Sequence, residues 1–344
     1  MVDTARNAQQ DGHVDRIAIL GAGAWGTALA HHLGAHGARV SLWARRAEFA
    51  AQLAATRANP LLPGVSLADT VTVSAQLEGV LAQADIVILA APSHTVREIL
   101  LRAAPAWPRG AILVTAAKGI ENETLLTTAE VAEQVLGAQL EGRIVVLSGP
   151  SFAAEVAAGH PTSLVAAAEQ VALAERVQRL VSVGRVRIYT SSDPRGVEVA
   201  GALKNVIAIA VGASDGLGFG QNGRAALITR GLSEISRLGV AKGGQAATAA
   251  GLAGLGDLVL TCTGEMSRNR TVGFELGRGK PLGAVLAALG HVAEGVTTAR
   301  SADDLARALG VDLPICSQVS QVLYAGKLPL DAVGDLLRRP LGRE

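Results

Sequence analysis

The sequence predicts an α/β protein in two parts, a mostly parallel, doubly wound sheet followed by an all-helical half. Three observations carry that reading. Short apolar runs recur through roughly the first 190 residues with helical stretches between them, and a glycine-rich string follows the first run. Beyond a polar break, the apolar residues fall only on helical spacing. Composition agrees: 49% of the 344 residues are hydrophobic and 18% charged, which suits a soluble globular chain and excludes a disordered or collagen-like one. The length favours two domains, and with aromatics at 3% the cores must be aliphatic.

The elements follow in order. Residues 1–15 are polar, carry Asp3 and Asp11, and lack the apolar run of a secretory signal, so they read as a flexible tail. Residues 16–20 (RIAIL) read as a buried parallel strand. A helix follows from Thr27 to Leu33, stopped by Gly34 and Gly37, and 38–43 (ARVSLW) gives the second strand. Further strands are expected at 85–91, 111–116, 143–148, 163–167 and 185–189, with helices covering both faces of the sheet. Thr190, Ser191, Ser192, Asp193 and Pro194 form the polar break, which divides a sheet domain, 16–192, from a helical domain, 193–344. The most apolar stretches, 206–213 and 246–256, are shorter than the roughly 20 residues of a bilayer helix, so no membrane span is expected.

Charge and rare residues narrow the function. A formal net charge of +1 gives no reason to expect nucleic acid or an acidic membrane as partner. Cys262 and Cys316 form no Cys-x-x-Cys pair, and neither they nor the seven histidines show metal-ligand spacing, so no metal and a reducing cytoplasm are expected. No Gly-x-Ser-x-Gly elbow is present.

The string GAGAWG at 21–26 follows a predicted strand and opens a predicted helix, the context of a Rossmann dinucleotide loop. Gly21 permits the tight turn, Gly23 lets backbone approach a pyrophosphate, and Gly26 lets helix pack on strand. An NAD-preferring site carries Asp or Glu about 20 residues on. This chain has Arg45 and Arg46 there, which suit a 2′-phosphate, so NADP or NAD is expected with NADPH favoured. The alternative is that both arginines are solvated loop charges.

In the second half, Lys204 and Asn205 interrupt an otherwise apolar helix, 201–212. An unpaired buried ammonium is costly, and burial lowers a lysine's pKa toward neutrality, where it serves as general acid or base. A lysine snorkelling from a helix edge remains the alternative. Asp257 and Thr261 stand at i, i+4 among apolar residues, followed by Ser267, Arg268, Asn269 and Arg270. Arg268 offers a planar fork for phosphate or carboxylate, and Asn269 adds donors, although a basic loop is also an ordinary solvated surface.

Taken together, GAGAWG, AAKGIE at 116–121, GPSFA at 149–153, LKN at 203–205, GLGDLVLTCTG at 254–264, SRNR at 267–270 and VAEGV at 292–296 closely resemble the bacterial NAD(P)-dependent glycerol-3-phosphate dehydrogenases. The resemblance implies a Rossmann domain joined to a helical domain of the 6-phosphogluconate dehydrogenase C-terminal type. It also implies Lys204 as proton-transfer lysine, Lys118 as second active-site lysine and Asp257 beside them. Gly149, Ser151, Ser267, Arg268 and Asn269 match the substrate site, with Arg268 as phosphate partner. Ala24, Trp25, Arg45, Lys118, Ala153, Arg268, Val292 and Glu294 match dinucleotide contacts. The implied substrate is sn-glycerol 3-phosphate or dihydroxyacetone phosphate, and a homodimer is left open. Ala24 departs from the family, which often has Ser at that point of the loop. A ketopantoate-type reductase and a catalytically silent NAD(P) sensor are the competing readings. The first needs a carboxylate clamp in place of SRNR, and the retained Lys204 and Lys118 disfavour the second.

Overall fold

The computed structural model describes residues 15–290 and 292–340, so the expected tail lies outside the described residues except for Asp15, which pairs with Arg176. Eight strands form one sheet: β1 (Arg16–Leu20), β2 (Arg39–Trp43), β3 (Val71–Ser74), β4 (Ile86–Leu89), β5 (Ile112–Thr115), β6 (Ile144–Ser148), β7 (Thr162–Ala167) and β8 (Val186–Ser191). Their order is β3-β2-β1-β4-β5-β6-β7-β8, parallel throughout except where β7 runs antiparallel to β6. The order reverses between β1 and β4, which opens the crevice at the carboxyl ends of the strands where such sheets bind ligands.

Among the described residues, seven α-helices accompany the sheet: α1 (Ala24–Ala35), α2 (Ala47–Thr56), α3 (Leu77–Leu81), α4 (Val96–Ala103), α5 (Thr128–Leu136), α6 (Ala153–Ala157) and α7 (Val171–Val181). Strand alternation divides the core. Ile17 and Ile19 of β1 pack with Leu29 and Leu33 of α1 and Val177 of α7, whereas Ala18 and Leu20 face Leu81 of α3, Leu100 of α4 and Val131 of α5. Two buried layers result, as the continuous apolar strands require.

After β8 the chain is helical: α8 (Pro194–Gly216), α9 (Gln221–Ala241), α10 (Ala246–Ala249), α11 (Asp257–Thr263), α12 (Arg268–Gly277), α13 (Leu282–Leu289), α14 (Glu294–Leu309), α15 (Pro314–Tyr324) and α16 (Pro329–Leu337). The buried Asp193 starts α8, accepting from Gly196 N (2.9 Å), Gln245 N (2.8 Å) and Thr248 Oγ1 (2.5 Å). Buried on all sides over most of its length, α8 is the core helix of this half. At 23 residues it is longer than its apolar stretch predicts, and both it and Ala246–Thr263 are long and apolar enough to cross a bilayer by length and composition, although 83% of the α8 window, and 39% of the other, is buried inside the protein.

Helix α12 crosses α8 closely because glycine lines both sides of the contact. A Cβ at Gly273 would lie 2.0 Å from Ile209 O, and one at Gly212 would lie 2.1 Å from Arg270 O. Backbone therefore meets backbone, and the start of α12 is drawn toward the middle of α8. Asp215, near the end of α8, fixes the crossing by accepting from Arg270 Nη2 at 2.8 Å and Arg224 Nη2 at 2.9 Å.

Candidate active site

The glycine string forms the turn from β1 into α1. Gly21 has φ +117°, where other residues are strained, and a Cβ at Gly26 would stand 1.9 Å from Gly21 O, so both positions require glycine. Gly23, which caps α1, meets nothing within 4 Å of where its Cβ would be. That open face, beside the free first-turn N–H groups of α1, fits a dinucleotide pyrophosphate. Ala24 begins α1, and Trp25 is half-buried against the core. Arg45 and Arg46 are exposed just past the end of β2, beside β1. Arg45 approaches Glu98 at 3.8 Å, and Arg46 lies over Phe49. No acid occupies the end of β2.

Past the carboxyl end of β5, a cluster of two lysines on one aspartate joins the sheet to the helical half. Lys204 Nζ donates to Asp257 Oδ1 at 2.5 Å and to Thr261 Oγ1 at 2.9 Å. Lys118, on the loop after β5, donates from Nζ to Asp257 Oδ2 at 2.6 Å and to Gly149 O at 3.1 Å. Asp257 opens α11 directly after a π-helical turn, Leu252–Gly256, a widened backbone often found at functional sites. Burial pushes the Lys204 ammonium down to about 8, only partly opposed by Asp257. Burial alone would raise the Asp257 carboxyl, but Lys118 and Lys204 outweigh it and hold the group below its ordinary range. Gly201 of α8 leaves room for this arrangement, since a Cβ there would meet Ser148 Oγ at 3.0 Å and the Lys118 stem at 3.5 Å.

The remaining expected residues surround the cluster unevenly. Gly149, at φ +127°, follows β6, and Ser151 Oγ donates back to its carbonyl at 3.0 Å. Ser267 caps α12, and Arg268, first in that helix, is exposed and forms no hydrogen bond or salt bridge among the described residues. Arg268 thus brings an uncommitted guanidinium to the amino end of α12, where Ser267 Oγ already accepts from Arg270 N. Asn269 is buried: its Nδ2 donates to Asn205 Oδ1 at 2.9 Å, and its Oδ1 accepts from Gly295 N at 2.9 Å. Glu294, first in α14, accepts from Ser93 Oγ at 2.6 Å, a bond from the helical half to the loop after β4, and burial raises its pKa. Val292 is exposed just before α14, and Ala153 begins α6, which packs against α1.

The partners of three side chains are hidden in the sequence. Thr261 showed its spacing to Asp257, but nothing in one sequence says that its hydroxyl faces Lys204. Ser93 carried the signal of lying just past β4, next to the strand-order reversal, yet its partner is 201 residues away. Arg270, read as part of a basic loop, is committed to Asp215. Cys262 and Cys316 are free and buried; burial pushes the Cys262 thiol up to about 12, and burial with the neighbouring Glu234 carboxylate raises that of Cys316, so both stay protonated.

Comparisons with known proteins agree with this arrangement. The family described as NAD-dependent glycerol-3-phosphate dehydrogenase N-terminus matches residues 16–174, and its C-terminus counterpart matches 193–334. Glycerol-3-phosphate dehydrogenase [NAD(P)+] of Geobacter metallireducens is 52% identical over 326 residues, 94% of this chain and 97% of that protein. The crystal structure of glycerol-3-phosphate dehydrogenase from Coxiella burnetii superposes with a TM-score of 0.90 at 37% identity, covering 94% of this chain and 99% of that one. A ketopantoate reductase structure from Ralstonia eutropha, at 18% identity and a TM-score of 0.60 over 92% of this chain and 99% of its own, shares the fold alone. Matched along nearly its whole described length, this chain belongs to the NAD-dependent glycerol-3-phosphate dehydrogenase family.

Proposed function

We propose that the chain catalyses NAD(P)-dependent hydride exchange between dihydroxyacetone phosphate and sn-glycerol 3-phosphate, running in biosynthesis toward the glycerol phosphate used for glycerophospholipids. The observation that carries this reading is the Lys118–Asp257–Lys204 cluster, in which Asp257 and Lys204 are buried and Lys118 stands on the loop after β5, at the carboxyl end of the sheet. When bound, the nicotinamide supplies or accepts the hydride at C2. Lys204, with its pKa drawn to about 8, gives the proton to the C2 oxygen during reduction and takes it back during oxidation. Lys118 stabilises the negative charge that develops on that oxygen, and Asp257 holds both ammonium groups in place. Arg268, Ser267 and Asn269 at the start of α12 hold the phosphate, and Gly149, bonded to Lys118, contributes to the substrate site with Ser151.

NADPH is the favoured cofactor in this reading, supported by Arg45 and Arg46 where an NAD enzyme carries an acid. The remaining dinucleotide contacts are Gly21, Gly23, Ala24, Trp25, Gly26, Lys118, Ala153, Arg268, Val292 and Glu294. The chain divides into the cofactor domain 16–192 and the substrate domain 193–344, supported by the break between β8 and the Asp193 cap. A reducing cytoplasm suits two free buried cysteines, and the burial of α8 supports a core helix rather than a membrane span. The test is initial-rate oxidation of NADPH and NADH with dihydroxyacetone phosphate, beside ketopantoate. Turnover confined to dihydroxyacetone phosphate, faster with NADPH, is expected, and no turnover with either cofactor overturns the proposal.

A further inference from the structure

Lys118 comes from the sheet half, whereas Asp257 and Lys204 come from the helical half, so the 2.6 Å contact between them is a contact across the molecule. Something must set its register. The first turn of α5 is capped from its own sequence by Thr127 and Glu130, with Thr127 N donating to Glu130 Oε2 at 2.8 Å. It is also capped from the other half. The buried Glu198 of α8 accepts from Thr127 Oγ1 at 2.7 Å, Thr128 Oγ1 at 2.8 Å and Ala129 N at 2.9 Å. Thr128 Oγ1 is further bonded at 2.7 Å to Thr115 Oγ1, the last residue of β5, three positions before Lys118. Lys242, past the end of α9, adds a second tie, donating from Nζ to Glu130 Oε1 at 2.5 Å. Glu198 precedes Lys204 by six residues, about 9 Å along one helix axis.

We infer that Glu198 is a positioning residue, which docks α8 on the start of α5 and so sets where Lys118 meets Asp257 and, through it, Lys204. The inference rests on the reaction proposed above. Three donors converge on one carboxylate from directions fixed by α5 and β5, so the bond specifies a register as well as a contact. An apolar side chain at 198 would leave the Ala129 N–H without this acceptor and would take from the Thr127 and Thr128 hydroxyls the carboxylate they donate to. Glutamine keeps two of the three bonds, since its carbonyl accepts from Thr128 and Ala129, while its amide faces Thr127 Oγ1, which then accepts instead of donating.

The test compares full-length Glu198→Ala and Glu198→Gln with wild type, by kcat, cofactor Kd and the pH profile of reduction. Glu198→Gln is expected within about threefold of wild-type kcat. Glu198→Ala is expected to lose about a hundredfold in kcat, the scale of an ångström-sized misplacement, with cofactor Kd within about twofold because the glycine loop is untouched. Its alkaline limb is expected to move to higher pH, because retreat of the like charge of Lys118 raises the pKa of Lys204. Wild-type kcat and pH limb in Glu198→Ala, with only a lower melting temperature, would overturn the positioning role. So would equal losses in the Ala and Gln variants. Should Glu198→Ala not fold, Glu198→Asp, whose carboxylate is withdrawn by one carbon, is read by the same criteria. A wild type without turnover on dihydroxyacetone phosphate brings down the reaction and this role together, whereas active wild type with an unchanged variant brings down the role alone.

Discussion

Lys204 is the residue at which sequence and chemistry meet most directly. A lysine amid apolar helix required a buried partner, and Asp257, 53 positions away, supplies it. Replacing it by alanine should lower turnover by about 10²–10⁴ while cofactor affinity, measured by titration, stays near wild type. The pH dependence follows in sign. Reduction consumes a protonated Lys204, so its kcat should hold below about 8 and fall above it, and oxidation should rise through the same range. Profiles of kcat in both directions check this. Arg268→Ala should raise the KM for dihydroxyacetone phosphate roughly 10- to 100-fold with kcat largely kept, since a charge-assisted phosphate bond contributes about 1.5–3 kcal/mol. An unchanged KM would assign the phosphate elsewhere. At this scale the sequence displayed chemical type and left partnership hidden: Arg268 and Arg270 look alike in SRNR, yet one is exposed and the other is fixed on Asp215.

Helices and strands were legible where their pattern was long. The strands from RIAIL onward were read because buried parallel strands are continuous apolar runs. Strand β3 was not read, because four residues, VTVS, at the sheet edge are too few to show a period and only half apolar. Helix α1 begins at Ala24 rather than at Thr27, because Gly23 caps it and the residues of the glycine string already turn helically. The glycine-lined crossing of α8 and α12 was not anticipated either. Gly273→Ala should destabilise the protein by about 1–3 kcal/mol, because the helices must part around a Cβ that would sit 2.0 Å from Ile209 O. Parting them also stretches the Asn205–Asn269 bond, so KM for substrate should rise. Denaturant melts and substrate titrations check both.

Across the whole molecule, the site is an interface property. Lys118–Asp257, Glu198 on α5, and Ser93–Glu294 all join the sheet to the helical half, so the two halves should melt together in one calorimetric transition. NADPH at about a hundred times its Kd should add about 2.7 kcal/mol and raise that transition, and NADH at the same concentration should raise it less. Two separated transitions, with only the first moved by cofactor, would show that the halves are energetically independent. The sequence by itself determined the two-part architecture, the glycine loop and the residue types of the chemistry, because periodicity, turn glycines and misplaced charges are local signals. Only the tertiary structure decided which charges pair, which arginine stays exposed at the start of α12, and how Glu198 holds Lys118 against Asp257. Those contacts join residues from about 50 to 200 positions apart, and their energies depend on distance and burial, which one sequence does not encode locally.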